Sequence, residues 1–291
     1  MTPIKQRLLT FDSGIGGLSI VRAIRKQAPD ILIDHLIDNA VFPYGEVPAE
    51  ALKKRIVALM GEAITALQPD AVVIACNTAS TIALDALRQA FSFMPFIGCV
   101  PPIKWAADST KTHYIGLLAT PATVKRQYLS ELYTRYAKNC RLLTHGSHIL
   151  APIAEDVFRN RTIDKTAIQR ELLALFSQPG GELIDTVCIG CTHYSFLLGI
   201  FQELTSSSIT WLDPADAVAR QSIKVLTHQQ GSSLKTRNQL KLTSQAEDIY
   251  FTAPPLYPEA LKERLVPYGF NREMKIFAFK NSLSPSAILP D

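Results

Sequence analysis

Cysteine is scarce in this sequence, with five residues in a chain of 291. So small and odd a number excludes a disulfide framework, and a reducing compartment would keep these residues as thiols. Apolar runs of bilayer length are also absent, and no long apolar segment develops before Asp12. We therefore expect a cytoplasmic protein with no membrane partner.

Charge of one sign is not concentrated anywhere in the chain. There are 30 Lys and Arg residues against 26 Asp and Glu, a net charge of +4, and no basic run interleaved with aromatic residues that would follow a phosphate backbone. We therefore expect no nucleic-acid partner. Hydrophobic residues make up 47% of the sequence and charged residues 19%, which is typical of a globular enzyme with a large core.

Short apolar runs alternate with helix-like stretches, which favours βαβ units and a mainly parallel sheet. The predicted strands span residues 7–11, 31–37, 71–75, 96–100, 114–118, 141–144 and 186–189. The predicted helices span residues 18–27, 51–67, 77–91, 124–136, 161–176 and 215–226. The pattern from residue 249 onward predicts a strand, a Pro-rich turn and a helix.

Two segments of the sequence repeat each other. Residues 70–80 and 185–195 each contain a short apolar run that ends on a cysteine, Cys76 in the first and Cys191 in the second. In both, an Asp lies six residues before the cysteine and a Ser four residues after it, and the cysteines are 115 residues apart. A repeat at a domain-sized interval favours two similar units. Two thiols at equivalent strand ends can face one ligand from opposite sides, which is the arrangement needed to move a proton across a planar carbanion.

The fold class predicted from these patterns is α/β, with two similar doubly wound domains and mainly parallel sheets. The first domain is discontinuous: it comprises residues 1–100 and 209–291 and carries Cys76. The second comprises residues 101–208 and carries Cys191.

Each of these two thiols follows a buried strand and opens a predicted helix. Backbone N–H groups and the positive end of the helix dipole should therefore lower its pKa from the free value of about 8.5, which would supply a thiolate at neutral pH. The alternative for each is a small core residue at a strand end. That alternative is our interpretation of Cys99, Cys140 and Cys188.

His193 lies two residues beyond Cys191. With a carboxylate partner it would donate and accept protons beside that thiol, whereas alone it would be a structural histidine. Cys188 and Cys191 also have the CxxC spacing of metal and redox sites. Because this spacing falls within a strand, and no second CxxC or matched His pair accompanies it, we expect no metal.

A glycine-rich turn, residues 12–17, follows the first predicted strand, as anion-binding turns do. It lacks the third glycine of the dinucleotide fingerprint and the GK[ST] ending of a P-loop, so we expect no nucleotide cofactor. Asp12 would be an unusual member of an anion site. We assign it to the ammonium group of a zwitterion or to the orientation of a thiol, and a helix N-cap is the alternative.

Four segments together resemble the cofactor-independent glutamate racemases of the aspartate/glutamate racemase family. They are residues 11–18, residues 38–39 with 43–45, residues 75–80 and residues 190–194. The resemblance implies two α/β domains with the active site in the cleft between them. It also implies Cys76 and Cys191 as the acid/base thiols, Asp12 and His193 as their polar assistants, and Glu155 as the acid that supports the histidine.

The resemblance further implies substrate contacts from both domains. Those expected are Asp12, Ser13, Tyr44, Gly45, Asn77, Thr78, Thr120, Thr123, Thr192 and His193. Thr120 and Thr123 match the threonines expected to hold the side-chain carboxylate. Four departures from the family pattern lie away from the thiols, at Pro101, Ala119, Ser147 and Ser195.

The activity that the residues and the resemblance predict is cofactor-independent racemisation of L-glutamate to D-glutamate, which supplies D-glutamate for peptidoglycan. One thiolate would remove the α-proton and the opposite thiol would return a proton to the other face, with electrostatics and positioning in place of pyridoxal phosphate. The resemblance suggests Cys191 as the base for L-glutamate and Cys76 as the base for D-glutamate. We expect a small-molecule partner and leave a homodimer open.

Three other functions stay open at this point. An aspartate racemase or related amino-acid racemase would use the same two thiols. A Cys–His hydrolase would use Cys191 as nucleophile and His193 as base, and it would leave Cys76 unexplained. A two-lobed amino-acid binding protein would need neither thiol.

Overall fold

Two α/β lobes make up the protein, for which the computed structural model describes residues 5–229 and 246–279. The first lobe begins with β1 (Arg7–Asp12), α1 (Leu18–Gln27), β2 (Leu32–Ile37), α2 (Ala49–Leu67), β3 (Ala71–Ile74), α3 (Asn77–Ala90) and β4 (Phe96–Gly98). The second lobe contains α4 (Ile103–Ser109), β5 (Tyr114–Ala119), α5 (Pro121–Val124), α6 (Gln127–Tyr136), β6 (Arg141–Gly146), α7 (Leu150–Phe158), α8 (Lys165–Phe176), β7 (Thr186–Gly190), α9 (Leu198–Leu204) and β8 (Thr210–Leu212). The chain then returns to the first lobe with α10 (Ala215–Gln229), β9 (Ile249–Phe251), α11 (Pro258–Leu265) and β10 (Lys275–Ile276).

Each lobe is built on a parallel sheet. The described strands of the first lobe lie in the order β10-β9-β2-β1-β3-β4, and those of the second in the order β6-β5-β7-β8. The paired strands in both sheets run parallel. The run β2-β1-β3-β4 has the same sequence of crossovers as β6-β5-β7-β8, so one βαβ pattern is used twice. The predicted fold class is confirmed.

Both faces of the first sheet are covered. Every residue of β1 and β3 is buried, and neighbouring residues alternate between two apolar clusters: Leu8 and Val73 belong to one, Leu9 and Val72 to the other. A parallel strand with helices on both sides needs apolar side chains in both directions. This explains why these strands are continuous apolar runs in the sequence.

The domain boundary predicted at residue 209 is too early. Strand β8 pairs in parallel with β7 and therefore lies in the second lobe. The chain returns to the first lobe only with α10, where Val218 and Ala219 share an apolar cluster with Val21 and Ile24 of α1. Residues 230–245 and 280–291 of the predicted first domain lie outside the described residues.

Three short helices, α4, α7 and α9, are not predicted from the sequence, and the helix predicted over residues 124–136 is two helices, α5 and α6. The hydroxyl of Thr120 accepts the N–H of Thr123 and caps α5, which has Pro121 in its first turn. Helices of one or two turns are too short to show a 3.6-residue period clearly. Within residues 5–229 and 246–279, no helix is long and apolar enough to cross a membrane.

His35 is a fully buried histidine in β2. Its Nδ1 lies 2.7 Å from the hydroxyl of Thr10, and its Nε2 has no hydrogen-bond partner among the described residues. Burial lowers the pKa of His35 from 6.5 to about 3, so the folded protein keeps it neutral while the unfolded chain binds a proton as the pH falls below 6.5. This group therefore favours the folded state less and less as the pH falls from 6.5 towards 3.

We expect the free energy of unfolding to fall by about 2 kcal/mol through His35 alone between about pH 7 and about pH 5. That part of the fall should be missing in His35→Leu, which has no titrating group at this position. Urea unfolding of both proteins at the two pH values measures the difference. An equal fall in both would mean that His35 is not held neutral in the fold.

Candidate active site

The carboxyl ends of the central strands of the two sheets face each other between the lobes. Asp12 ends β1 and Cys76 follows β3 in the first lobe, while Thr120 and Cys191 follow β5 and β7 in the second. The hydroxyl of Thr192 donates to Asp12 at 3.2 Å across the lobes. α/β proteins bind ligands at such strand ends, where neighbouring crossovers leave in opposite directions.

Cys76 lies at the N-terminus of α3 with 6% of its surface exposed. Its Sγ accepts the N–H of Ala79 at 3.5 Å, and the carboxylate of Asp12 lies close enough for the two groups to affect each other's pKa. Burial, followed by the charge of Asp12, raises the pKa of Cys76 well above its usual range. The predicted lowering is therefore wrong for this thiol, because desolvation of the thiolate outweighs the helix N-terminus.

Asp12 organises the glycine-rich turn. One carboxylate oxygen accepts the N–H of Ser13 at 2.6 Å, and the other accepts the N–H of Gly17 at 2.5 Å and the hydroxyl of Thr192. Burial raises the pKa of Asp12 in spite of these hydrogen bonds. Of the two roles predicted for Asp12, the orientation of a thiol has support, because Asp12 and Cys76 affect each other's pKa.

The second thiol, that of Cys191, contacts a histidine that in turn contacts a carboxylate. Cys191 precedes the 3-10 helix Thr192–Phe196 rather than the predicted α-helix. Its Sγ lies 3.9 Å from Nδ1 of His193, and Nε2 of His193 lies 3.1 Å from Oε1 of Glu155. Glu155 comes from α7, and its Oε1 also accepts the N–H of Ile15 from the first lobe at 2.8 Å. The residues predicted from the sequence for this part of the site therefore form a chain of contacts, from Cys191 to His193 to Glu155.

The histidine and the carboxylate stabilise each other's charged forms. Burial alone would lower the pKa of His193, but hydrogen bonds to Cys191 and Glu155 raise it well above the usual range. Burial raises the pKa of Glu155, but the hydrogen bond and charge of His193 and the charge of Arg159 bring it below the usual range. An imidazolium that touches a thiol and a carboxylate is placed to take part in proton transfer.

The two thiols interact electrostatically. A charge on Cys191 raises the pKa of Cys76 further. Because two thiolates in one buried site repel each other, a state with both thiols ionised is disfavoured.

Four of the predicted substrate residues present polar groups at the same place. The side chain of Asn77 is buried, and neither its Oδ1 nor its Nδ2 has a partner among the described residues. The hydroxyl of Thr78 lies 3.0 Å from that of Thr120 and 3.4 Å from that of Thr123, and the last two are 3.1 Å apart. A buried amide normally finds a partner, so Asn77 is suited to bind a polar ligand, and the three hydroxyls can turn their hydrogens to a carboxylate.

Tyr44 lies at the site boundary with its hydroxyl turned away. The hydroxyl donates to Asp38 at 2.6 Å, so it is not free for a substrate. Its neighbour Gly45 faces Thr120, since a Cβ on Gly45 would lie 3.2 Å from the Cβ of Thr120. Arg55 binds the same Asp38 carboxylate through Nε at 2.7 Å and Nη2 at 2.6 Å. Sequence reasoning missed this buried pair, because nothing in α2 distinguishes Arg55 from the other charged residues.

The departure at Ser147 lies at the start of α7. Its hydroxyl accepts the N–H of Ile149 at 3.3 Å and that of Leu150 at 3.1 Å. Nδ1 of the adjacent His148 lies 2.6 Å from Oε1 of Glu46 in the first lobe. These residues cap the helix that carries the site carboxylate and connect the two lobes.

Cys188 and Cys191 do not lie in the same apolar cluster. It packs with Leu117 in one apolar cluster, while Cys191 belongs with Ile189 to another. Among the residues that the structure describes, no group of three or more His, Cys, Asp or Glu side chains is placed to hold a metal ion.

Residues 16–222 match the family model described as Asp/Glu/Hydantoin racemase. A glutamate racemase of Granulibacter bethesdensis is 49% identical over 218 residues, which cover 75% of this chain and 78% of the relative. A glutamate racemase of Brucella anthropi is 43% identical over 219 residues, which cover 75% of this chain and 79% of the relative. The crystal structure of Escherichia coli glutamate racemase in complex with L-glutamate and the activator UDP-MurNAc-ala is 33% identical, with a TM-score of 0.84, over 94% of this chain and 99% of that one. These similarities span both lobes and include both strand-end cysteines, and the chain belongs to the Asp/Glu/Hydantoin racemase family.

Proposed function

We propose that the protein interconverts L- and D-glutamate by proton transfer to and from two cysteines, without a cofactor. The observation that carries the proposal is the placement of Cys76 and Cys191 at equivalent strand ends of the two lobes. Each has its own polar partner, Asp12 for Cys76 and His193 for Cys191. The glutamate racemases among the relatives and the L-glutamate in the Escherichia coli structure support glutamate as the substrate.

In the L-to-D direction, Cys191 removes the α-proton and Cys76 protonates the opposite face of the carbanion. The raised pKa of Cys76 suits it to hold a proton before this step. In the D-to-L direction the two thiols exchange roles, with Asp12 assisting Cys76, and His193 and Glu155 assisting Cys191. Electrostatic stabilisation of the carbanion by the site takes the place of the electron sink that pyridoxal phosphate provides in other racemases.

The negative charge that develops on the substrate needs preorganised donors. We assign the unpaired amide of Asn77 and the N-terminus of α3 to the α-carboxylate, since a helix N-terminus favours negative charge. The hydroxyl cluster of Thr78, Thr120 and Thr123 holds the side-chain carboxylate. The remaining contacts are assigned to Ser13, Thr192, Gly45 and the main chain of Tyr44.

Deuterium oxide tests the two-base mechanism directly. With the enzyme equilibrated in deuterium oxide and L-glutamate at low conversion, the D-glutamate formed should carry deuterium at the α-carbon, because the thiol that delivers the hydrogen has exchanged with solvent. The remaining L-glutamate should stay protonated, and the reverse reaction should behave in the same way. Chiral separation followed by mass spectrometry measures the label. Early deuterium in both enantiomers would indicate one base or free exchange of the carbanion.

Aspartate should be a poor substrate. Its side chain is one methylene shorter, so its distal carboxylate cannot reach Thr120 and Thr123 while its α-carbon lies between the thiols. We expect kcat/KM for aspartate to be at least about tenfold lower than for glutamate, because its distal carboxylate would not form the hydrogen bonds to these hydroxyls that orient glutamate. Circular dichroism follows both racemisations, and Thr120→Val should reduce the preference. Equal kcat/KM values for the two acids in the wild type would refute the assignment of these threonines.

The product, D-glutamate, fits a role in supplying peptidoglycan synthesis, and we propose the cytoplasm as the compartment. All five cysteines are free and buried, which suits a reducing environment. A homodimer stays a prediction, and sedimentation velocity tests it.

A further inference from the structure

Arg159 lies half-buried beside the site carboxylate, immediately after α7. Its Nη1 donates to Oε2 of Glu155 and, at 2.9 Å, to the backbone carbonyl of the same residue. The side chains of both residues are 11% exposed. The guanidinium therefore binds Glu155 with little competition from water.

The two oxygens of Glu155 have different partners. Oε1 accepts from the N–H of Ile15 and contacts Nε2 of His193, whereas Oε2 accepts from Arg159. The ring of Phe42 packs against the imidazole of His193, with the ring centroids 5.3 Å apart. With both oxygens bound, the carboxylate cannot turn about its axis, so Oε1 stays directed at the histidine.

We propose that Arg159 is a positioning residue for the racemisation: by fixing Glu155, it holds His193 against Cys191. This inference rests on the proposed function. Without Arg159, Oε2 would be a buried carboxylate oxygen without its charged donor, which is costly. The carboxylate would turn or bind a proton, and His193 would lose the partner that orients it.

Replacing Arg159 should impair proton transfer at only one of the two thiols. Cys191 depends on His193 and through it on Glu155 and Arg159, whereas Cys76 is partnered by Asp12. The equilibrium constant of a racemisation is one, so kcat/KM must fall equally in both directions. The difference between the thiols instead appears in the isotope effect, which reports how strongly each proton abstraction limits the rate.

The experiment measures deuterium isotope effects on kcat/KM with L- and D-glutamate labelled at the α-carbon. In Arg159→Met we expect kcat/KM to fall by about tenfold or more, because a hydrogen bond to a buried charged group is lost. The isotope effect should rise for L-glutamate, whose proton Cys191 removes, and fall towards one for D-glutamate, whose proton Cys76 removes. Arg159→Lys keeps the charge and should restore part of the activity, with the same asymmetry in weaker form.

Arg161 provides a matched control. It lies two residues further along but pairs with Asp156 at 3.3 Å and stacks on Tyr257 at 4.2 Å. Arg161→Met should keep kcat/KM within about twofold of the wild type, as expected for a residue whose ion pair and ring contact are made with Asp156 and Tyr257 and not with Glu155 or His193, with both isotope effects unchanged. In a Glu155→Gln background, adding Arg159→Met should change little, because the two residues act through one chain of contacts.

Isotope effects that change in parallel for both enantiomers, or do not change, would overturn the positioning role. Parallel changes would instead indicate general damage to the structure. If Arg159→Met does not fold, the isotope effects of Arg159→Lys decide between the same two outcomes. If the wild-type protein did not racemise glutamate, the proposed function itself would be refuted. Failure of the proposed function can therefore be told apart from failure of the positioning role.

Discussion

Replacing either Cys76 or Cys191 by serine should lower kcat for glutamate racemisation by at least about three orders of magnitude in both directions, because a serine hydroxyl is a far weaker acid than a thiol. Serine is close in size, so the strand ends that carry these residues should keep their structure. Each variant lacks one of the two proton-transfer groups, and the remaining thiol cannot complete the reaction alone. Circular dichroism of each enantiomer incubated with the variant measures the loss.

Cys140→Ser is the control for this pair. Cys140 is also a buried, free cysteine of the second lobe, but it packs with Leu129 and Ala137 away from the site. This variant should stay within about twofold of the wild type. A variant of Cys76 or Cys191 that racemised at a comparable rate would remove that cysteine from the mechanism, and its place at the strand end would then be a matter of fold alone.

Gly16→Ala should lower kcat/KM by about a hundredfold, because displacing a catalytic group by about 1 Å costs that much. A Cβ on Gly16 would lie 2.5 Å from Nδ1 of His193, 2.6 Å from Oγ1 of Thr192 and 2.7 Å from the backbone nitrogen of His193. The backbone atom cannot swing aside. The glycine-rich turn and the 3-10 helix of the second lobe must therefore separate, which moves His193 relative to Cys191.

Gly199→Ala is the matched control for Gly16→Ala. A Cβ on Gly199 would have no neighbouring atom within 4 Å, so this glycine can be replaced without a clash. Gly199 lies in α9, so alanine should also stabilise the helix, by up to about 1 kcal/mol. We expect full activity and an equal or higher melting temperature for this variant. Wild-type kinetics in Gly16→Ala would show that the two lobes can separate at this point without consequence for the thiols.

Most of the fold could be predicted from the sequence, because buried parallel strands are continuous apolar runs separated by helix-length segments. Strand β8 could not be placed, since it has only three residues and begins with the exposed Thr210. The nine-residue helix α7 contains Pro152, a residue that usually marks a helix start or a loop. Its existence depends on packing against the second sheet, through residues such as Ala151 and Ala154.

For the site, the repeat and the resemblance predict Cys76, Cys191 and Asp12, and the structure has Asp12 and Cys76 at strand ends of one parallel sheet and Cys191 at a strand end of the other. The contacts of Arg55 with Asp38 could not be predicted, because they join a helix to a loop and no spacing links them. The direction of the pKa shift of Cys76 also depends on its burial. The sequence predicts the helix that follows this thiol. It does not predict how completely the folded lobes exclude water from the thiol.

Because a run of four strands in the first sheet has the same order as the second sheet, the two lobes present equivalent strand ends to the cleft between them. In the proposed mechanism, turnover of L-glutamate leaves Cys76 as the thiolate and Cys191 as the thiol, which is the state that D-glutamate requires. Before another L-glutamate can react, both sulfurs must exchange protons with water, although they are only 6% and 7% exposed. This resetting of the free enzyme is a step of the cycle in its own right. In that mechanism we expect the resetting step to limit net conversion when one enantiomer is abundant, and to leave the exchange between the two enantiomers near equilibrium unaffected.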